Sequence, residues 1–188
     1  MEALLVSTLV VALGEIGDKT QLLALLLAAR FRRPAPIIFG ILVATVANHT
    51  LAGFVGAWVR EMLSPEWLRW ILGLSFIAVA LWALVPDKYD EDEAAIKGRW
   101  GVFALTTITF FLAEMGDKTQ IATVMLAAKF ESLVQVVIGT TLGMLIADVP
   151  AVFVGGLAAL KLPVTLIRRI AAAIFAALGI ATLAGVAF

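Results

Sequence analysis

A seven-residue segment occurs twice in this chain with one difference: Glu15-Ile16-Gly17-Asp18-Lys19-Thr20-Gln21 returns as Glu114-Met115-Gly116-Asp117-Lys118-Thr119-Gln120. Its chemistry is that of hard oxygen donors. Glu15, Asp18, Glu114 and Asp117 supply carboxylates, and Thr20, Gln21, Thr119 and Gln120 can add neutral oxygens. The chain has no cysteine and one histidine, so thiolate ligation is excluded and imidazole is scarce. Such donors suit manganese, calcium or magnesium better than zinc or copper. The four acids are therefore the expected metal ligands. Lys19 and Lys118 have no lone pair to offer as ammonium groups and are expected in support. Each follows its glutamate by four positions, a spacing that suits an ion pair on a helix. Glutamate and aspartate, three apart, are expected on one helical face. Gly17 and Gly116 remove a side chain between the acids. They admit a neighbouring helix or a cation close to the backbone, and local unwinding there would free carbonyls as further ligands.

The elements that position these residues are membrane helices. Of 188 residues, 62% are hydrophobic and 15% charged, and the mean hydropathy is +1.04. Soluble domains are nearer half apolar and a quarter charged. Apolar runs cover roughly 4–28, 36–60, 67–86, 101–127, 133–157 and 164–187. Each is long enough for a hydrocarbon core of about 30 Å. The expected fold is all-α, with six transmembrane helices and no separate soluble catalytic domain. The first run lacks a basic leader and carries charges, so it is read as a permanent span rather than a cleaved signal. Zero net charge gives no electrostatic case for nucleic acid, and the partner expected is the lipid bilayer. No cofactor is called for.

An ionised Asp or Lys at the centre of a lipid-facing helix costs about 2.5–3.5 kcal/mol. Glu15 and Asp18 lie near the middle of the first run, and Glu114 and Asp117 near the middle of the fourth. Both motifs must therefore face inward. An offset of 99 residues (114 − 15) aligns more than the motifs. Ala28-Ala29-Arg30-Phe31 falls on Ala127-Ala128-Lys129-Phe130, Gly40 on Gly139, and Phe54 and Gly56 on Phe153 and Gly155. The chain thus reads as repeat 1 (1–86), an acidic cytoplasmic linker (87–100) and repeat 2 (101–188). Three spans per repeat is an odd number, so the second repeat enters the membrane from the opposite side. In transporters built this way, the substrate site lies near the midplane where the repeats meet.

Loop charges set the orientation. Arg30, Arg32, Arg33, Lys88, Lys97, Arg99, Lys161, Arg168 and Arg169 fall on one side, and Arg60, Arg69 and Lys129 on the other. The richer side is expected in the cytoplasm, with both termini outside. Trp58, Trp67 and Trp70 then belong to the outer aromatic belt, and Trp82, Tyr89 and Trp100 to the inner one. The linker acids Asp87, Asp90, Glu91, Asp92 and Glu93 lack the ordered spacing of a calcium loop and are read as a solvated connection.

The second and fifth spans add further polar groups. His49 and Asp148 occupy equivalent positions, beside Asn48 and Ala147. An intramembrane Asp is a functional candidate by default, so Asp148 joins Asn48 as an expected supporting residue. His49 is read as a hydrogen-bonded interior residue in preference to a ligand. Pro150 is expected to kink its span or free a carbonyl. Clustered acids in a low-dielectric interior hold protons that a divalent ion displaces, so exchange of the cation against protons is the natural coupling.

Two Glu-x-Gly-Asp-Lys-Thr motifs in a duplicated six-span chain resemble the calcium/cation antiporter family of Golgi Mn²⁺/Ca²⁺ transporters and bacterial Mn²⁺ exporters. The resemblance covers essentially the whole chain. It implies that Glu15, Asp18, Glu114 and Asp117 bind the cation, and that Mn²⁺ or Ca²⁺ is exchanged for protons. The compact chain and short linker are similar to the bacterial form, which implies manganese export across the bacterial inner membrane. A Ca²⁺/H⁺ antiporter is the nearest alternative, followed by a divalent-cation channel. An intramembrane acid protease ranks below both, because near-identical twin motifs do not divide acid and base roles between two carboxylates.

Overall fold

The computed structural model describes residues 1–85, 101–154 and 164–186, and among these every regular element is an α-helix. The linker 87–100, with Tyr89 and Trp100, lies outside the described residues, as do Gly155 and Lys161. Four helices are long and apolar enough to cross a membrane: α3 (Pro34–Met62), α4 (Pro65–Ala83), α7 (Leu133–Val154) and α8 (Val164–Leu183). Proline at the first position of α3 and α4 suits a helix start, since the N–H it lacks has no intrahelical partner there.

The first and fourth apolar runs are not the continuous helices expected. Each is split at its motif, into α1 (Glu2–Glu15) and α2 (Lys19–Phe31), and into α5 (Val102–Glu114) and α6 (Lys118–Lys129). The cause is local. Gly17 and Gly116 take φ of 84° and 77°, a region that L side chains enter only at a cost. Ile16 and Met115 before them are extended, as are Asp18 and Asp117 after them. At Gly116 a Cβ would meet nothing within 4 Å. That glycine is required by backbone conformation rather than by the close approach expected.

Packing is inverted relative to a soluble protein. Phe39, Leu51, Phe54, Leu74, Leu81, Ile146 and Phe153 are exposed, whereas Glu15, Glu114, Asp148, Asn48 and His49 are fully buried. That distribution is stable only in a solvent of hydrocarbon, so the chain is a multi-pass membrane protein. Trp58, Trp67, Trp70 and Trp82 also lie exposed, as residues of aromatic belts should.

Helix α1 packs on α7 and α5 on α3, while α4 packs on α8. The close contacts recur at the offset of the repeat. A Cβ on Gly40 would meet Thr106 and the carbonyl of Phe103; a Cβ on Gly139 would meet Ser7 and the carbonyl of Leu4. Phe76 and Phe175, themselves equivalent, stack on each other with ring centroids 6.4 Å apart. Along α4 and α8, Gly73 meets Leu183 while Ile77 meets Gly179, so these two helices run antiparallel.

Among the described residues, Arg60 and Arg69 lie toward one end of the bundle and Arg32 and Arg33 toward the other. The Met1 ammonium donates to Gln135 Oε1 at 2.9 Å, and Arg60 donates to the carbonyls of Ala127 and Phe130. Arg69 approaches Gly185. Arg32 and Arg33 line a cavity with Val152 and Phe153 at the far end of α7.

The glycine contacts set a limit on side-chain size. Gly139→Val would press its Cβ against the Leu4 carbonyl, 2.5 Å away, where neither backbone can yield cheaply. A loss of about 1–3 kcal/mol is expected, visible as a lower melting temperature in detergent; unaltered melting would contradict the packing.

Candidate cation site

The two helix breaks turn their acidic side chains into the buried interior, Glu15, Asp18, Glu114 and Asp117 all being buried. Glu15 ends α1 and Asp18 caps α2; Glu114 ends α5 and Asp117 caps α6. Glutamate and aspartate therefore do not share a helical face, because the expected continuous turn between them is absent. The positive ends of the α2 and α6 dipoles point at the carboxylates of Asp18 and Asp117, which favours negative charge there.

Each break is held by its own motif. Gln21 Oε1 accepts from the Gly17 amide at 2.9 Å, and Gln120 Oε1 from the Gly116 amide at 2.7 Å. The Thr20 hydroxyl donates to Glu15 Oε2 at 2.6 Å and the Thr119 hydroxyl to Glu114 Oε2 at 3.0 Å. The other amide face of each glutamine crosses to the other half of the chain. Gln21 Nε2 donates to the Ala147 carbonyl and Gln120 Nε2 to Asn48 Oδ1, both at 2.9 Å. Residues 48 and 147 are themselves one repeat offset apart, so one contact mirrors the other. Pro150 lies inside α7, where it provides no N–H for the Ile146 carbonyl, next to the carbonyl that Gln21 uses.

The lysines also cross. Lys19 Nζ lies 2.9 Å from Asp117 and Lys118 Nζ 3.1 Å from Asp18. The expected partners were Glu15 and Glu114, four positions away within each motif. That pairing requires one continuous helix, and the break at the glycine removes the geometry. Neither sequence spacing nor composition signals the crossed pairing, since it depends on how two distant segments dock.

Glu15 and Glu114 lie within Coulombic reach of each other, of Asp117 and of Asp148, and Glu114 also of Asp18. Their Oε1 atoms have no hydrogen-bond partner among the described residues. The same holds for both oxygens of Asp148 and both ring nitrogens of His49. The hydrogen-bonded environment expected for His49 is thus not present among the described residues. No three His, Asp or Glu side chains among the described residues form a ready set for one metal ion. Ammonium groups are seated on both aspartates.

A family profile described as “Divalent cation/proton antiporter GDT1” matches residues 3–91 and 102–187. The chain is 52% identical over 183 residues to a Vibrio cholerae serotype O1 protein named “Putative manganese exporter”, spanning 97% of this chain and 90% of that one. It is 28% identical over 171 residues to a GDT1-like protein of Synechocystis, covering 79% of this chain and 82% of the relative. Identity to GDT1-like protein 5 of Arabidopsis thaliana is also 28%, over 180 residues, with 76% and 78% covered. No solved structure matches the chain at a significant level.

The break itself can be probed without touching a carboxylate. Space around Gly116 is open, so Gly116→Ala tests the backbone conformation alone. Alanine should cost about 1–2 kcal/mol in thermal stability, and Gly116→Asn less, since asparagine tolerates positive φ. Equal stability of all three proteins would mean that the break does not need this conformation.

Proposed function

This chain belongs to the GDT1 family of divalent cation/proton antiporters, and from that premise we propose that it exports Mn²⁺ in exchange for H⁺ through the paired motifs. It is a transporter and not an enzyme, as are the family and the V. cholerae relative. The observation that carries the site is the reciprocal crossing of the two motifs, Lys19 with Asp117 and Lys118 with Asp18, with both aspartates and Lys118 buried in an apolar bundle. Crossing brings carboxylates from the two halves of the sequence within Coulombic reach of one another.

In this proposal Glu15, Asp18, Glu114 and Asp117 bind the transported cation. Thr20 and Thr119 orient the glutamates, Gln21 and Gln120 hold the helix breaks, and Asn48 and Asp148 complete the polar surround. All these donors are oxygens, which favours Mn²⁺, Ca²⁺ or Mg²⁺ as cargo; the name of the V. cholerae relative directs the choice to Mn²⁺. Protons compete for the same carboxylates, because buried acids left without a counter-ion are costly in a low-dielectric medium.

The fold in this proposal has six spans, with α1–α2 and α5–α6 each forming one broken span. They form two inverted repeats, 1–86 and 101–188, joined by the linker 87–100. Support comes from the antiparallel run of α4 and α8, the stacking of equivalent Phe76 and Phe175, and the mirrored glycine contacts. Broken helices with polar backbone at the repeat interface are a recurrent way to build a midplane ion site. The membrane is the bacterial inner membrane, with Arg32 and Arg33 on the cytoplasmic side and both termini outside.

Uptake into everted vesicles or proteoliposomes is the test, comparing Mn²⁺, Ca²⁺ and Mg²⁺ with and without a proton gradient. Mn²⁺ uptake should need the gradient and acidify the opposite compartment less as Mn²⁺ is withdrawn. Glu15→Gln and Asp117→Asn should each lower uptake at least about tenfold, equivalent to about 1.4 kcal/mol, while retaining the helical spectrum. Transport that survives neutralisation of each of the four acids would refute the central site.

A further inference from the structure

We infer that Lys19 and Lys118 are tethered competitors of the transported cation. Each holds an aspartate of the opposite motif, and the divalent ion must displace both ammonium groups to take Asp18 and Asp117. The inference rests on the proposed carboxylate site and adds a role for the two residues that cannot themselves be ligands.

The geometry favours this competition. Lys118 is buried with its ammonium 3.1 Å from Asp18, and Lys19 has its ammonium 2.9 Å from Asp117. At these distances an ammonium fills the position from which a metal ion would approach the same carboxylate. An Mn²⁺ ion and a lysine ammonium cannot occupy it together, by size and by charge. The placement is also unfavourable on local grounds. Both lysines are the first residues of their helices, where the dipole repels a cation. A cation in that position is retained only if the charge it neutralises matters more, and in each case that charge is on the opposite motif.

The consequence concerns the return stroke. A carrier that has released its cargo must recross with its aspartates compensated, because an uncompensated buried charge is strongly unfavourable. Lys19 and Lys118 supply that compensation from within the chain. Because each pair joins the two motifs, the lysines also clamp the two halves together when cargo is gone and release them when cargo arrives. Binding and the change of access are thereby coupled through the same two contacts.

Purified full-length protein in detergent and in proteoliposomes tests this. A competitor that holds the carboxylates nine-tenths of the time weakens apparent affinity about tenfold, so removing it should restore that factor. Lys19→Gln and Lys118→Gln are each expected to tighten Mn²⁺ binding about tenfold, read by titration calorimetry, while net proton-driven transport falls. Mn²⁺/Mn²⁺ tracer exchange, which never requires the empty carrier to recross, should fall much less than net transport. Lys118→Arg restores a cation and should return affinity toward that of the unaltered protein.

A second measurement needs no mutation, in case Lys118→Gln fails to fold. Reductive methylation of the unaltered protein, followed by mass spectrometry, reports the freedom of Lys19, whose side chain is 21% exposed. Mn²⁺ should accelerate methylation of Lys19 relative to Mg²⁺-free, Mn²⁺-free buffer. Unchanged or slower methylation, or glutamine variants that bind Mn²⁺ no more tightly, would overturn the displacement. Glu15→Gln and Glu114→Gln separate the two proposals. If they leave Mn²⁺ binding intact, the carboxylate site and the displacement both fall; if they abolish it while the lysine variants are silent, only the displacement falls.

Discussion

An ionised group inside a bilayer must find a partner within the protein, and that requirement organises this molecule. The two motifs bring four carboxylates and two ammonium groups into a bundle whose outer surface is hydrocarbon-like. The aspartates are compensated by lysines from the opposite motif rather than their own. Everything nearby serves that crossing. Helix breaks expose the ends of α1, α2, α5 and α6, glutamines brace the breaks, and small residues let α1 and α7, and α3 and α5, come close enough for the motifs to meet.

The breaks explain how a polar centre can exist in lipid at all. An unbroken helix satisfies its own backbone but offers no backbone group to a ligand. At Gly17 and Gly116 the chain leaves the helical region, and the freed amides are bonded by Gln21 and Gln120. The irregular backbone is half-buried at Ile16 and Gly17 and exposed at Met115 and Gly116. The glutamine side chains therefore do the satisfying that a continuous helix would otherwise provide, as irregular backbone at membrane depth requires. Threonine hydroxyls fix one oxygen of each glutamate and leave the other available among the described residues. Rigid support and an available oxygen on the same carboxylate are what reversible binding of a small cation needs.

The near-equivalence of the halves is broken where α3 and α7 approach the motifs. Asn48 and His49 stand opposite Ala147 and Asp148. One glutamine therefore donates to a side-chain amide and the other to a main-chain carbonyl. An acid on α7 and an imidazole and an amide on α3 make the surroundings of the two motifs chemically unequal.

Membrane residence, the duplication, the carboxylate motifs and their inward orientation followed from the sequence alone. Hydrophobic runs, a fixed offset and the cost of charge in lipid are properties that a linear chain displays. The placement of Arg60 and Arg32 toward different ends of the bundle accords with their loop positions in the sequence. The helix breaks were legible only as a suspicion attached to Gly17 and Gly116, because a single glycine inside an apolar run is compatible with a continuous helix. The partners of Lys19 and Lys118 were not legible. Spacing of four pointed to Glu15 and Glu114, and only docking of segments 99 residues apart, after each helix has broken, turns the lysines to Asp117 and Asp18. Local sequence determines which charges enter the membrane; tertiary packing decides which of them neutralise one another, because Coulomb attraction depends on distance in space and not along the chain.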